Sequence, residues 1–244
     1  MIAKGIIVQN TDMLDQFYRG SSKTCLIARG VDVGGFAPKA PDPEIRRTMK
    51  TDFDARVIIC VANMVPVKGV ELLVEAFHKL KDRFPGWVVW LVGDVENDYG
   101  AFLMARVHEL GLTNVILFAG KQMNVRAFLD HAEIFVLPTR DEGRREGSPV
   151  AMLEAMANSK VVLGSEVPGI KDQLRRHKEY LFSAGDCAAL ETSLKRLMER
   201  STDVNRRAGE EFRRLAVDKF SIRDEVRKHE EFYLRIAGRK VNYS

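Results

Sequence analysis

The chain has only three cysteines among 244 residues, Cys25, Cys60 and Cys187, and no two are spaced as C-x-x-C. That spacing excludes a disulfide framework and a cysteine-based zinc site, and it suits a reducing cytoplasm. No apolar run approaches the ~18 residues needed to span a membrane. The opening stretch, MIAKGIIVQN, lacks both a long apolar run and a small-residue cleavage site, so it does not read as a signal peptide. The five histidines (78, 108, 131, 177 and 229) form neither H-x-x-x-H nor H-E-x-x-H, which argues against a histidine metal site. G-x-S-x-G and Walker patterns are absent. Excess charge is scarce too, at a formal +4. It gathers in residues 195–240, which carry fourteen Lys/Arg against nine Asp/Glu. Without interleaved aromatics such a surplus is a solvated helical face, and no nucleic-acid partner is expected. An anionic membrane surface stays open as a peripheral contact.

What is present is 45% hydrophobic and 30% charged residues, the balance of a soluble globular chain. Short runs rich in Val and Ile recur at residues 56–61 (RVIICV), 87–92 (WVVWLV), 114–118, 133–137 and 160–163, with a weaker one at 179–182. They are too short for helices and nearly all apolar, as strands covered on both faces must be. Amphipathic stretches separate them: Val70, Leu73, Phe77 and Leu80 after Lys68-Gly69, then Phe102, Ala105 and Leu110 before Gly111, then Val125, Phe128 and Leu129. Alternation with short links predicts right-handed βαβ units. The fold class is therefore α/β, a Rossmann-like doubly wound parallel sheet of about six strands, followed by helices over 186–236. Residues 1–38 give a small β-α-β fragment, and Gly30, Gly34, Gly35, Pro38, Pro41 and Pro43 read as a linker.

Ligands on such sheets bind at the carboxyl ends of the strands. Three segments fall there. In REGSPVAMLEAMA, Ser148 as N-cap and Pro149 at the first helical position predict a helix start whose free N–H groups could face a diphosphate. Glu146 precedes that helix and Glu154 lies inside it, leaning back, so the two could flank one ligand and accept from sugar hydroxyls. On spacing alone, two surface glutamates on a solvated helix are the commoner arrangement. In VANMVPVKG, Lys68-Gly69 puts a cation beside another helix start, a phosphate clamp or a surface lysine with a turn glycine. In Val92-Gly93-Asp94 the glycine permits a sharp turn or close approach of a ligand. Asp94, Glu96 and Asp98 lack a calcium-loop continuation and read as a solvated loop.

In this order the segments resemble the C-terminal domain of the retaining GT-B glycosyltransferases of family four, the glycosyl transferases group 1. The signature is E-x7-E, Glu146 to Glu154, within EGSPVAMLEAMA and followed by VVLGSEVPGIKD. VANMVPVKGVELLVEAF, WLVGD, LGLTNVILFAG and AEIFVLPT support it; LIARGVDVGGFAP is similar to the family's interdomain linker and FSIRDEVRKHEEFYLRI to its terminal crossover helix. The resemblance implies three parts. Residues 1–38 are a remnant of the N-terminal domain and its linker, 39–220 a donor-binding Rossmann-like domain, and 221–244 the crossover helix and tail.

It also implies transfer of a sugar from a nucleotide diphosphate donor with retention, in polysaccharide, lipopolysaccharide or glycolipid synthesis, with no cofactor and no metal. Glu146 would face the donor sugar and Glu154 the ribose hydroxyls. Lys68 would neutralise the leaving diphosphate, helped by backbone N–H groups around Gly147, Ser148, Pro149 and Val150, with Gly93 lining the donor site. Asn63 stands where the family carries Arg, which weakens that clamp unless Arg144 or Arg145 replaces it. Ser159 stands where the family has Gly, so Asn158 is expected to supply the left-handed cap.

The missing partner is the acceptor-binding domain, without which little transfer is expected and exposed faces invite self-association. The expected location is cytoplasmic, with contact at the inner membrane face left open. Two other readings stand beside this one: a non-catalytic module of the same fold that acts through protein contacts, and a GT-B-type sugar epimerase.

Overall fold

The computed structural model describes residues 3–18, 23–142 and 146–238. At the start, β1 (Ile6–Val8), α1 (Thr11–Tyr18) and β2 (Thr24–Leu26) form a two-stranded parallel sheet, so the crossover lies in the short helix between them. The proline-rich stretch holds more order than a linker: Asp42 accepts from Glu44 N at 3.0 Å and caps α2 (Pro43–Thr48), with Pro43 in the first turn.

The remaining apolar runs build one parallel sheet. Its strands are β3 (Arg56–Val61), β4 (Trp87–Val92), β5 (Ile116–Gly120), β6 (Ile134–Leu137), β7 (Val161–Ser165) and β8 (Leu181–Phe182). The order is β5-β4-β3-β6-β7-β8 with every pair parallel. β4 is buried at all six positions because helices cover both faces. β5 begins two residues later than the apolar run suggests: Val115 and Ile116 both donate to Leu112 O, and that turn takes up the start of the run.

Between the strands run α3 (Val70–Leu80), α4 (Asp98–Glu109), α5 (Val125–Leu129), α6 (Val150–Ala157) and α7 (Pro168–Gln173). Behind the sheet lie α8 (Cys187–Met198), α9 (Thr202–Lys219) and α10 (Ile222–Ile236), each with a Ser or Asp side chain capping its first turn. α6 has five of its eight residues buried and none exposed, held between β6, β7 and α9. Its end corrects the expected cap. Asn158 keeps φ at −88°, with its Nδ2 donating to Phe36 O and Asp130 Oδ1. Ser159 takes the left-handed turn at φ 58°, and Ser159 N and Lys160 N donate to Met156 O and Ala155 O. That is the paired bonding of a Schellman ending, with serine at the position glycine usually fills. Asn158 is committed to its side-chain partners, so the reversal falls on the next residue.

The strand order reverses between β3 and β6, so a crevice opens at their carboxyl ends. α10 runs back along the linker. Val31 exchanges backbone bonds with Phe220 and Ile222, and a Cβ on Gly30 would collide with the Ser221–Ile222 backbone. Phe232 packs against Gly5 beside β1. The buried Glu225 fixes this docking: its Oε2 accepts from Gly30 N at 2.7 Å and its Oε1 lies 3.3 Å from Arg29 Nη1. Among the described residues no helix is long and apolar enough to cross a membrane. Glu225→Ala strands the Gly30 N–H, at about 1–3 kcal/mol. Hydrogen exchange is expected to quicken across 222–236 while the amides of β3, β4 and β6 keep their protection.

Candidate functional site at the switch point

The loop after β3 turns through Ala62-Asn63 and enters a 3-10 turn at Pro66–Lys68. Gly69 follows in the left-handed conformation, φ 60°, and precedes α3. A Cβ there would collide with the Pro138 carbonyl oxygen. This glycine therefore lets the β3 loop lie against the end of β6, and Arg140 N donates to Val67 O at 2.8 Å to join the two. Lys68 is carried to the mouth of the crevice, where its Nζ lies 2.5 Å from Glu146 Oε2. Thr139 Oγ1 donates to the same oxygen at 3.3 Å. Lys68 and Glu146 are 21% and 13% exposed, so solvent screens this pair only in part.

Four neighbours hold the loop that carries Glu146. Asn10, almost wholly buried, donates from Nδ2 to Glu146 O at 3.2 Å and to Gly147 O at 3.0 Å, while its Oδ1 accepts from Met13 N. Gly169 of α7 lies directly beneath, where a Cβ would collide with the Gly147 carbonyl. Ser148 Oγ accepts from Arg29 N at 3.3 Å and Gln173 Nε2 at 3.2 Å.

That last contact corrects the expected cap. Ser148 is not the N-cap of α6, because its hydroxyl is spent on Arg29 and Gln173. Pro149 is the N-cap, the helix begins at Val150, and no side chain closes its first turn. The N–H groups at this end remain uncapped, with no acidic residue in the first turn.

Two cavities meet at the Lys68–Glu146 pair. One, of about 390 Å³, lies over the ends of β3, β4 and β5 and is lined by Asn63, Gly93, Lys121, Pro149 and Val150 besides the pair. The other, of about 430 Å³, lies towards the N-terminal fragment and adds Arg29, Gly147 and Ser148 to Asn63, Lys68 and Glu146. Gly93 is the tightest point of the first: a Cβ would collide with the Ala62 carbonyl oxygen.

Eight of the nine expected site residues are thus brought together. Glu154 is the exception, since it lines neither cavity. Burial raises its carboxyl above the usual range. Arg144 and Arg145, the expected substitutes for a cation at Asn63, lie outside the described residues.

The sequence reading missed Lys121 and Gln122. Both follow β5, and the rule that residues just past each strand form the site would have found them. It also missed Asn10 and Gln173, whose roles rest on contacts distant in the chain. Among the described residues no group of three His, Cys, Asp or Glu could hold a metal ion. What the site offers is the Lys68–Glu146 pair, two further cations in Lys121 and Arg29, and an uncapped helix N-terminus. This set can bind an anion beside a group that donates hydrogen bonds.

This six-stranded parallel sheet with its flanking helices matches part of the fold of the GT-B glycosyltransferases. The chain belongs to the glycosyl transferases group 1 family, whose model matches residues 41–214. It is 32% identical over 152 residues to the amylovoran biosynthesis glycosyltransferase AmsK of Erwinia amylovora, covering 60% of this chain and 37% of that protein. Among solved structures, a glycosyltransferase from Rickettsia africae superposes with a TM-score of 0.87 at 20% identity, covering 97% of this chain and 64% of that one. Anabaena Alr3699/HepE, in complex with UDP-glucose, gives 0.84 at 19% identity over 96% and 64%. The chain thus spans less than two thirds of each of these proteins.

The Glu154 carboxyl gives a pH signature. Its folded pKa is raised, so between the ordinary carboxylate value and the raised one the folded state binds more protons than the unfolded. Stability therefore falls as pH rises through that window. Glu154→Gln is expected to raise the unliganded melting temperature at neutral pH, and the gain should shrink towards pH ~4.

Proposed function

We propose that this chain is the donor-binding half of a retaining glycosyltransferase that uses a nucleotide diphosphate sugar in polysaccharide synthesis. The observation that carries this reading is the Lys68–Glu146 pair at the switch point, beside the uncapped start of α6 and between two cavities. The likeness to AmsK supports the polysaccharide class, and the UDP-glucose bound by the Anabaena protein supports the donor class.

In this reading the nucleoside occupies the cavity over β3, β4 and β5. The diphosphate takes Lys68 and the N–H groups at Val150 and Ala151, and the sugar turns towards Glu146, Gly147 and Ser148. Glu154 lines neither cavity, so it reaches the ribose hydroxyls only by turning towards the crevice on binding. The bond from the anomeric carbon to the diphosphate oxygen breaks and its electron pair stays on the diphosphate. An acceptor hydroxyl attacks the same face and passes its proton to a diphosphate oxygen. The chain contributes electrostatic stabilisation of the charge that develops on the leaving group.

Lys68 starts paired with Glu146, so binding exchanges one carboxylate for a more highly charged diphosphate. Asn63 faces both cavities without a charge, which makes this clamp weaker than one built with Arg.

Thermal shift and calorimetry with UDP, GDP, ADP and their sugars test the reading. At least one is expected to raise the melting temperature. Lys68→Ala removes a charge-assisted bond of about 1.5–3 kcal/mol, a roughly ten- to hundredfold loss of affinity. Asn63→Arg is expected to tighten binding, and Asn10→Ala to weaken it by freeing the Glu146 loop. No shift with any of the three bases would overturn the donor-binding role and leave the non-catalytic module of the same fold.

A further inference from the structure

The sheet has a second polar cavity at the opposite end from the donor crevice. It holds about 360 Å³ and lies where β3, β6 and β7 begin, closed on one side by α9. That volume is at the lower end of the ~300–1,000 Å³ range of small-molecule sites.

Of the four cations on its wall, Arg56 and Arg206 are ion-paired, with Glu133 and with Asp203 and Glu210, whereas Lys160 and Arg46 are not. Lys160, just before β7, lines the cavity and is largely buried, and among the described residues its ammonium has no hydrogen bond or ion pair. The two nearest carboxylates are already used. Asp130 accepts from Lys39 N, Asn158 Nδ2 and Arg126 Nη1. Glu133 accepts from Arg56, Asn205 Nδ2 and Thr202 Oγ1. Arg46 also lines the cavity and forms no ion pair among the described residues. Its N–H groups go to the carbonyls of Asp52 and Ala55 and to His131 Nδ1. Burial and Arg46 lower the His131 pKa; its Nδ1 accepts from Arg46 and its Nε2 donates to Asp42 O at 2.9 Å. Asp54 is the other acid on the wall, and it is exposed to water. A largely buried lysine beside a half-buried arginine, neither of them in an ion pair, favours an anion in this cavity.

A separate observation narrows the ligand. Asn205 of α9 lines the same cavity and is 1% exposed. Its Nδ2 donates to Glu133 Oε1 at 2.7 Å and to Leu197 O at 3.0 Å, which fixes the amide orientation. Its Oδ1 is then buried with no donor. A fully ionised phosphate monoester group has no O–H to give it; a sugar hydroxyl has.

We propose that this cavity is a binding site for a small hydroxylated phosphate, of the sugar monophosphate class, whose phosphate pairs with Lys160 and Arg46 and whose hydroxyl donates to Asn205 Oδ1. The site shares no residue with the donor crevice, so it stands or falls independently of the proposed transfer.

Lys160 also provides the assay. Burial lowers its pKa to about 8, with Asp130 and Glu133 opposing, so more of its amine is unprotonated near neutral pH than in an ordinary lysine, and reagent reaches it through the cavity. The chain is labelled with acetic anhydride, and modification of Lys160 is followed by mass spectrometry with glucose 6-phosphate, inorganic phosphate or glucose present. Glucose 6-phosphate at ten times its dissociation constant is expected to slow labelling of Lys160 roughly tenfold. Inorganic phosphate should protect less and glucose not at all.

In parallel, glucose 6-phosphate is expected to raise the melting temperature of wild type and of Lys68→Ala, but not of Lys160→Met. Asn205→Leu should reduce the advantage of glucose 6-phosphate over phosphate. Unchanged labelling of Lys160 with either phosphate would overturn the site. Equal protection by the two would overturn the hydroxyl assignment. A shift lost in Lys68→Ala and kept in Lys160→Met would return the anion to the donor crevice.

Discussion

Everything the crevice can do depends on where the three-residue loop Glu146–Gly147–Ser148 is held. No secondary structure fixes it from within. Asn10 binds two of its carbonyls, Gly169 supports it from below, and Gln173 and the Arg29 amide hold the Ser148 hydroxyl. These neighbours come from the N-terminal fragment and from the helix after β7. Each contact alone is an ordinary hydrogen bond or close packing. Together they leave the Glu146 carboxylate few positions other than beside Lys68.

The electrostatics follow from that placement. A half-buried ion pair between two cavities keeps Lys68 from being an unpaired cation, while the N–H groups at the start of α6 remain uncapped. The same sheet carries the reverse arrangement at its other end. There Asp130 and Glu133 are taken up by other donors, and Lys160 and Arg46 form no ion pair among the described residues. In both places the strands set the geometry. What differs is which carboxylate the neighbouring helices have already claimed.

Much of the scaffold was legible because burial on both faces leaves a strong signature in composition. The six runs of Val, Ile and Trp became strands with ends moved by only a few residues, and Lys68, Gly93 and Glu146 fell where the carboxyl-end rule placed them. The misreadings share one cause. Ser148 looked like a cap and Asn158 like a left-handed turn, because local propensity favours both. Tertiary partners outbid propensity at each: Gln173 and the Arg29 amide at Ser148, Phe36 and Asp130 at Asn158. Glu154, paired with Glu146 by spacing, lies outside both cavities.

The sequence by itself determined the class of fold, the order of strand and helix, and the residues that could bear charge near the strand ends. Periodicity and composition are local properties, and burial translates them directly into elements. Only the tertiary structure decided which charges are satisfied. It paired Lys68 with Glu146, left the start of α6 open, spent Ser148 on α7 and left Lys160 without an ion pair. Hydrogen-bond capacity is shared among residues far apart in the chain, and its allocation is settled only when the elements pack.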